Sequence, residues 1–163
     1  MSNCLIRPAE SGDAATMAQI ETAAEAALGR PASDPHKRLV TWREAVEFGE
    51  PLVQVASDGD AVVGFVGYDR SRDPRTPPTM GEIWAIHVLA SHQGQGVGLA
   101  LWDAAREALL EEGCTHVSVW IELAQERALR FHELAGFKRD MPSLRTVARG
   151  SMRVEEIRLK RQL

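Results

Sequence analysis

Several features are scarce in this chain, and each scarcity narrows its function. No stretch of its 163 residues is apolar enough to span a membrane, and the opening MSNCLIRPAESG lacks the apolar core of a signal peptide. No Lys/Arg-rich run interrupts a formal net charge of −4, which argues against nucleic acid as the main partner. Cysteine is limited to Cys4 and Cys114, with neither metal nor redox spacing, so a reduced cytoplasmic setting with both thiols buried is expected. His87 and His92 lie five apart with no third ligand in view, so no metal is expected. Internal repeats, low-complexity segments and a Gly-x-Ser-x-Gly elbow are all missing.

What remains has the composition of one globular domain spanning residues 1–163, 44% hydrophobic and 26% charged. The pattern predicts a strand over Cys4–Arg7, then a helix capped by Asp13 and ended before Gly29, with Met17, Ile20, Ala24 and Leu28 on one face. After a loop from Arg30 to Asp34, Pro35 opens a second helix that buries Leu39, Trp42 and Val46. Leu52–Ser57 and Ala61–Tyr68 form a hairpin around Asp58-Gly59-Asp60. Asp69–Thr79, with three prolines, reads as an exposed loop.

Gly81 opens a central strand in which Ile83, Ile86 and Val88 break strict alternation, so a bulge is expected near Trp84 and Ala85. A helix from Val97 packs through Leu101, Ala104 and Ala108 and stops at Gly113. His116–Ile121 is the next strand, Glu126–Ala135 a short helix, and Phe137–Arg139 and Val154–Lys160 the last strands, giving a mixed α/β sheet.

The stretch that organises the chain is GEIWAIHVLASHQGQGVG, residues 81–98. A strand there runs through Gly94, Gly96 and Gly98 into a helix start, whose unpaired N–H groups and dipole suit an anionic oxygen, most often phosphate. The third glycine of a dinucleotide fingerprint is replaced by Leu99, and a P-loop's Gly-Lys-Ser/Thr is missing. By itself the turn fits either a phosphate loop or a plain strand–helix connection.

Gln93-Gly94-Gln95-Gly96-Val97-Gly98 nevertheless resembles the coenzyme A pyrophosphate loop, Gln/Arg-x-x-Gly-x-Gly, of the GNAT acetyltransferase superfamily. The segment Gln125–Phe137 is similar to that family's Asn-x-x-Ala-x-x-Phe-Tyr-x-x-x-Gly-Phe, and Ile6-Arg7-Pro8-Ala9 to a common opening of it. The resemblance implies a mixed, mostly antiparallel sheet flanked by helices, with a central splay between the fourth and fifth strands near Ile86 and Val119. It implies acetyl-coenzyme A as cosubstrate, no metal, and an amine acceptor that is a small molecule, amino acid or peptide. Dimers are common in the family, so a homodimer is open. Ile86, His87, Val88, the loop Gln93–Gly98, Gln125, Ala128 and Phe131 would then contact the cofactor. The loop would act through main-chain N–H groups of Gln95, Gly96, Val97 and Gly98.

Two positions depart from the pattern: Gln125 replaces asparagine, and His132 replaces the tyrosine that commonly protonates the departing thiolate. His132 is therefore either the acid or an interior hydrogen-bonded histidine. Glu82, eleven residues before Gln93 as in glutamate-base members, is the candidate general base, the alternative being a solvent-facing strand-start carboxylate. An amine of pKa ~10.4 is neutral in only about one molecule in 2,500 at pH 7, a deficit of roughly 4.6 kcal/mol that a base answers; thiolate departure needs only about 2 kcal/mol. Glu21, Glu25, Asp34, Glu44, Glu47 and Glu50 make the first two helices acidic, which reads as a solvated face or as a rim suited to a cationic amine. A catalytically silent acyl-coenzyme A-binding module of the same fold is the alternative function, and a non-enzymatic domain with a structural glycine turn a third.

Overall fold

The structure is a computed structural model that describes residues 3–31 and 33–163; residue 32, in the loop expected over 30–34, lies outside the described residues. Seven strands form one sheet in the order β1-β2-β3-β4-β5-β7-β6. They are β1 (Leu5–Pro8), β2 (Leu52–Asp58), β3 (Ala61–Arg70), β4 (Met80–Val88), β5 (His116–Glu122), β6 (Lys138–Arg149) and β7 (Met152–Gln162). The helices are α1 (Ala14–Ala27), α2 (Pro35–Phe48), α3 (Val97–Glu111) and α4 (Glu126–Leu134). β4 and β5 run parallel, and the pairs β1–β2, β2–β3, β5–β7 and β6–β7 are antiparallel. The parallel ladder begins at Met80 opposite His116 and ends at Ile83 opposite Val119.

The chain divides into two compact units, and the division falls inside β4. The first holds the residues up to Asp69 together with Trp84–Leu109. Its core joins Met17 and Ile20 of α1, Trp42 and Ala45 of α2, Val53 and Val55 of β2, and Val62 and Phe65 of β3. The Asp58–Asp60 turn closes the β2–β3 hairpin as expected, with a register shift at Ala56/Ser57. Asp34 caps α2 by accepting the His36 and Lys37 N–H groups, and Gly49, with φ +71°, ends it. The second unit holds Arg70–Ile83 and Leu110–Leu163. Its apolar interior includes Val117, Val119 and Ile121 of β5, Ile157 and Leu159 of β7, Leu129 of α4 and Phe137.

Five expectations need correction. Asp13 does not cap α1: its carboxylate accepts the Glu10 N–H at 2.8 Å and both Arg7 Nη groups at 2.8 and 3.0 Å, closing a 3₁₀ turn ahead of the helix. α3 buries Trp102, Ala105 and Leu109 with Val97 and Leu101, leaving Ala104 and Ala108 half-buried, because the large side chains claim the interior. Cys114 is buried but Cys4, just ahead of the edge strand β1, is only partly so.

The fourth correction concerns residues 140–149, beyond the strand expected over Phe137–Arg139. They belong to β6, whose ladder to β7 breaks between Asp140 and Arg145 and resumes to Arg149 opposite Met152. Pro142 falls inside that break and on an edge strand, the two settings in which a strand tolerates proline. Lastly, Glu21 and Glu25 are not merely solvated, since Arg38 of α2 pairs with both.

Candidate functional site

The expected site residues fall into two groups, one in each unit. In the first unit β4 leads through a 3₁₀ turn, Ala90–His92, to the glycine loop. His92 Nε2 lies 3.0 Å from Asp58 Oδ2, fastening the turn to the end of the β2–β3 hairpin. Gln93 donates from Nε2 to the Val88 carbonyl (3.1 Å) and Gln95 to the Ser91 carbonyl (3.2 Å), so both amides brace the turn from inside.

Gly94 and Gly96 have φ of +74° and +84°, and no atom lies within 4 Å of where a Cβ would stand on either. That combination is a cradle: the backbone conformation requires glycine, and the space above it is open. The first α3 ladder bond runs from Ala100 N–H to the Gly96 carbonyl at 3.0 Å. The N–H groups of Val97, Gly98 and Leu99 therefore have no acceptor in the preceding turn of the helix. Val97's own side chain is buried in the core, so it can serve a ligand only through its main chain. Donors, a helix dipole and open space together fit a pyrophosphate.

His87 sits on β4 between Ile86 and Val88, all three half-buried. Its ring packs against Phe65, with centroids 5.5 Å apart, and its Nε2 is 3.9 Å from Glu21 Oε2. Burial, outweighing the attraction of Glu25, pulls its pKa down to about 4, so the imidazole is neutral at pH 7.

In the second unit Glu82 is 1% exposed, on the stretch of β4 paired with β5. The solvent-facing alternative is thereby removed. Its Oε1 accepts the Arg72 backbone N–H at 2.9 Å, and its Oε2 accepts Nε at 3.2 Å and Nη2 of the same residue. A guanidinium from the 71–79 loop thus meets this buried carboxylate. The loop itself is anchored, since Asp73 accepts the Trp120 indole N–H at 3.0 Å and Arg158 Nη1 at 3.0 Å.

α4 carries the remaining group. Gln125 precedes the helix at its N-cap but makes no side-chain cap, and it is half-buried like Ala128 and Phe131. His132 is buried, with Phe131 and Phe137 each 5.1 Å away edge-on. Its Nδ1 lies 2.8 Å from the Ala128 carbonyl; a carbonyl only accepts, so Nδ1 carries the proton. Burial lowers its pKa against the opposing pull of that bond.

Arg72, Glu21 and Trp120 are the polar contributors that the sequence did not single out as site residues. Only Glu21 had left a signal, as part of the acidic first helix.

The family model described as the acetyltransferase (GNAT) family matches residues 17–137. This chain belongs to that family. The mycothiol acetyltransferase of Sanguibacter keddieii is 34% identical over 116 residues, covering 66% of this chain and 36% of that protein. N-acetyltransferase 8 of Rattus norvegicus is 28% identical over 85 residues, covering 52% of this chain and 38% of that protein. The chain thus spans little more than a third of either relative.

Among solved structures, an N-acetyltransferase from Staphylococcus aureus Mu50 superposes with a TM-score of 0.79 at 19% identity, over 99% of both chains. A phosphinothricin acetyltransferase from Sinorhizobium meliloti, solved with acetyl-coenzyme A, superposes with a TM-score of 0.77 at 18% identity, over 99% of this chain and 89% of that one. Both share the fold.

Proposed function

We propose that the chain is an acetyl-coenzyme A-dependent N-acetyltransferase acting on a primary amine of a small molecule, amino acid or peptide. The observation that carries this reading is the glycine loop: two positive-φ glycines under open space at the exposed start of α3, in a chain of this family. Main-chain N–H groups of Gln95 to Gly98 hold the pyrophosphate. Ile86, His87 and Val88 are the first unit's further cofactor contacts, and Gln125, Ala128 and Phe131 are those of the second unit. When bound, acetyl-coenzyme A supplies the activated acetyl thioester. No metal takes part.

Glu82 is the base, directly or through one water, and its burial supports the role. Its Oε2 is held by the Arg72 guanidinium, while Oε1 accepts only the Arg72 backbone N–H and keeps a lone pair for a proton. His132 fits the packing role better than the acid role, because Nδ1–H is committed to Ala128 and the neutral form has no proton to give from Nε2. The 2 kcal/mol that thiolate departure needs does not demand a dedicated acid.

The second reading, a silent acyl-coenzyme A-binding module, is favoured by the same two commitments, Glu82 to Arg72 and His132 to Ala128. Free-thiol release from acetyl-coenzyme A across a panel of primary amines separates the readings. Amine-dependent thiol well above hydrolysis is expected; tight cofactor binding with no amine-dependent thiol would establish the silent module.

A further inference from the structure

In the second unit one face of the sheet is polar. Glu82 stands opposite Ser118, and Ser118, Trp120 and Glu122 of β5 alternate with the buried Val117, Val119 and Ile121. Arg158 of β7 pairs with Trp120, Glu156 with Glu122, and Arg145 of β6 with Glu156, which puts all of them on that face. The face therefore carries the proposed base and, two residues along β5, an indole with charged neighbours. Adjacent loop residues tie the two together: Arg72 bonds Glu82, and Asp73 accepts the Trp120 indole N–H.

Arg145 is the exposed end of this group. Its Cζ lies 3.8 Å from the Trp120 ring centroid, and its Nε (2.9 Å) and Nη2 (2.8 Å) both go to Glu156 Oε1. Stacking and the two bonds fix the plane of the guanidinium. Yet its side chain is 50% exposed against 3% for Glu156, and its Nη1 has no partner among the described residues. Glu156 does not depend on Arg145 alone, because Arg149 Nη2 holds the other oxygen at 3.0 Å. Arg149 Nε in turn lies 3.5 Å from Glu122. Charges thus alternate along Glu122, Arg149, Glu156 and Arg145, with a positive charge at the open end. Asp73, at the indole edge, is already shared by Trp120 and Arg158. A guanidinium held in one plane with a donor edge open to solvent is a preorganised receptor for a carboxylate.

We propose that Arg145 anchors a carboxylate of the acceptor, and that the acceptor is a primary amine carrying that carboxylate at a distance, as a dipeptide or an ω-amino acid does. The proposal rests on the acetyltransferase reading and on Glu82 as its base. The distance follows from the strand, since two residues of β5 separate the level of Glu82 from that of Trp120 by about 7 Å. An extended dipeptide spans about 7 Å, whereas the amine and carboxylate of a single α-amino acid are too close to reach both places. Arg145 binds and selects and takes no part in proton transfer or bond making.

Two measurements test it. In proton NMR at constant ionic strength, sodium hexanoate should shift the Trp120 indole N–H resonance saturably, that resonance being assigned by its loss in Trp120→Phe. The neutral 1-hexanol should not shift it, and Arg145→Gln should abolish the response. The control Arg153→Gln removes an exposed arginine from the opposite face of β7 and should keep it. In turnover, 6-aminohexanoate should show a KM about tenfold to a hundredfold below that of hexylamine, the usual range for one charged hydrogen-bond partner. Arg145→Gln should erase that difference while changing the KM for hexylamine and for acetyl-coenzyme A less than about threefold. Should Arg145→Gln fail to fold, hexanoate against 1-hexanol and the two amines on the wild-type protein decide the matter. An NMR response that is missing, matched by 1-hexanol, or retained in Arg145→Gln overturns the anchor. Amine turnover with equal KM values for the two amines, or with a difference that survives in Arg145→Gln, overturns the anchor and leaves the acetyltransferase reading standing. A saturable, Arg145-dependent response without amine-dependent thiol supports the anchor and defeats that reading instead.

Discussion

At the scale of single residues, the strand position of a candidate side chain was legible and its distant partners were not. Glu82 was chosen because its spacing to Gln93 on the central strand resembles that of glutamate-base members of the family, and it is buried there. Its partner Arg72 lies in a proline-rich loop, where no periodicity distinguishes an anchored arginine from a solvated one. The resemblance implied a cofactor contact for His87, and its ring meets Phe65 and Glu21, contacts that arise only when α1 folds over β3 and β4. As the proposed base, Glu82 should be sensitive to a change that keeps its shape. Glu82→Gln is expected to lower kcat at neutral pH by roughly 10²–10⁴-fold, with partial recovery at high pH where free amine is abundant. A pH–rate profile settles it, and one unchanged from wild type would make Glu82 structural. His132→Ala, by contrast, should cost about 1–3 kcal/mol in urea unfolding and leave turnover per folded molecule nearly unaltered. A drop in turnover beyond about a hundredfold in fully folded protein would restore the acid role.

At the scale of elements, two glycines separate ligand binding from packing. A Cβ on Gly64 of β3 would stand 2.9 Å from the His87 carbonyl oxygen and 3.2 Å from Leu101 Cδ1, neither of which can step aside without moving β4 or α3. Gly64→Ala should therefore destabilise the fold by about 1–3 kcal/mol, measured by urea unfolding. At Gly96 the surroundings are open, and only the φ of +84° opposes a side chain, at roughly 1–2 kcal/mol. Gly96→Val should leave the protein folded and weaken acetyl-coenzyme A binding by more than tenfold in calorimetry; unchanged affinity would remove the loop from the cofactor site. Most elements announced themselves through turn residues and periodicity: the Asp-Gly hairpin, the Asp34–Pro35 helix start, the glycine stops at Gly29 and Gly113. The exception was β6, because a sequence with Pro142 at its centre gives no strand signal, and the pairing comes from β7 rather than from local propensity.

At the scale of the whole molecule, each unit buries one neutral histidine, and this fixes how stability responds to acid. His87 in the first unit and His132 in the second both have pKa values pulled below the ordinary 6.5 by desolvation, His87 to about 4. In the unfolded chain both take up a proton as pH falls through about 6.5, whereas in the fold they do not until lower pH. The unfolded state then binds more protons, so the contribution of each is complete above pH 6.5 and is lost as pH falls below it. The slope approaches about 1.4 kcal/mol per pH unit for each histidine over the range where only the unfolded form is protonated. Other groups act in different windows. Asp13, bonded to Arg7, and Asp140, bonded to Arg158, lie below the usual carboxylate range and add losses only below about pH 4. Glu21, pushed upward by burial, works in the opposite direction, since its folded form takes a proton more readily than its unfolded form. Between pH 7.5 and 5.5 the histidines therefore dominate. Urea unfolding across that interval should show the midpoint falling with pH in wild type. His132→Phe, a ring of similar size between Phe131 and Phe137, should lose about one histidine's share of that fall whatever its stability at pH 7.5. Parallel pH dependences in the two proteins would mean that the His132 imidazole is protonated as readily in the fold as in the unfolded chain, and would remove the basis for treating it as a buried neutral core residue.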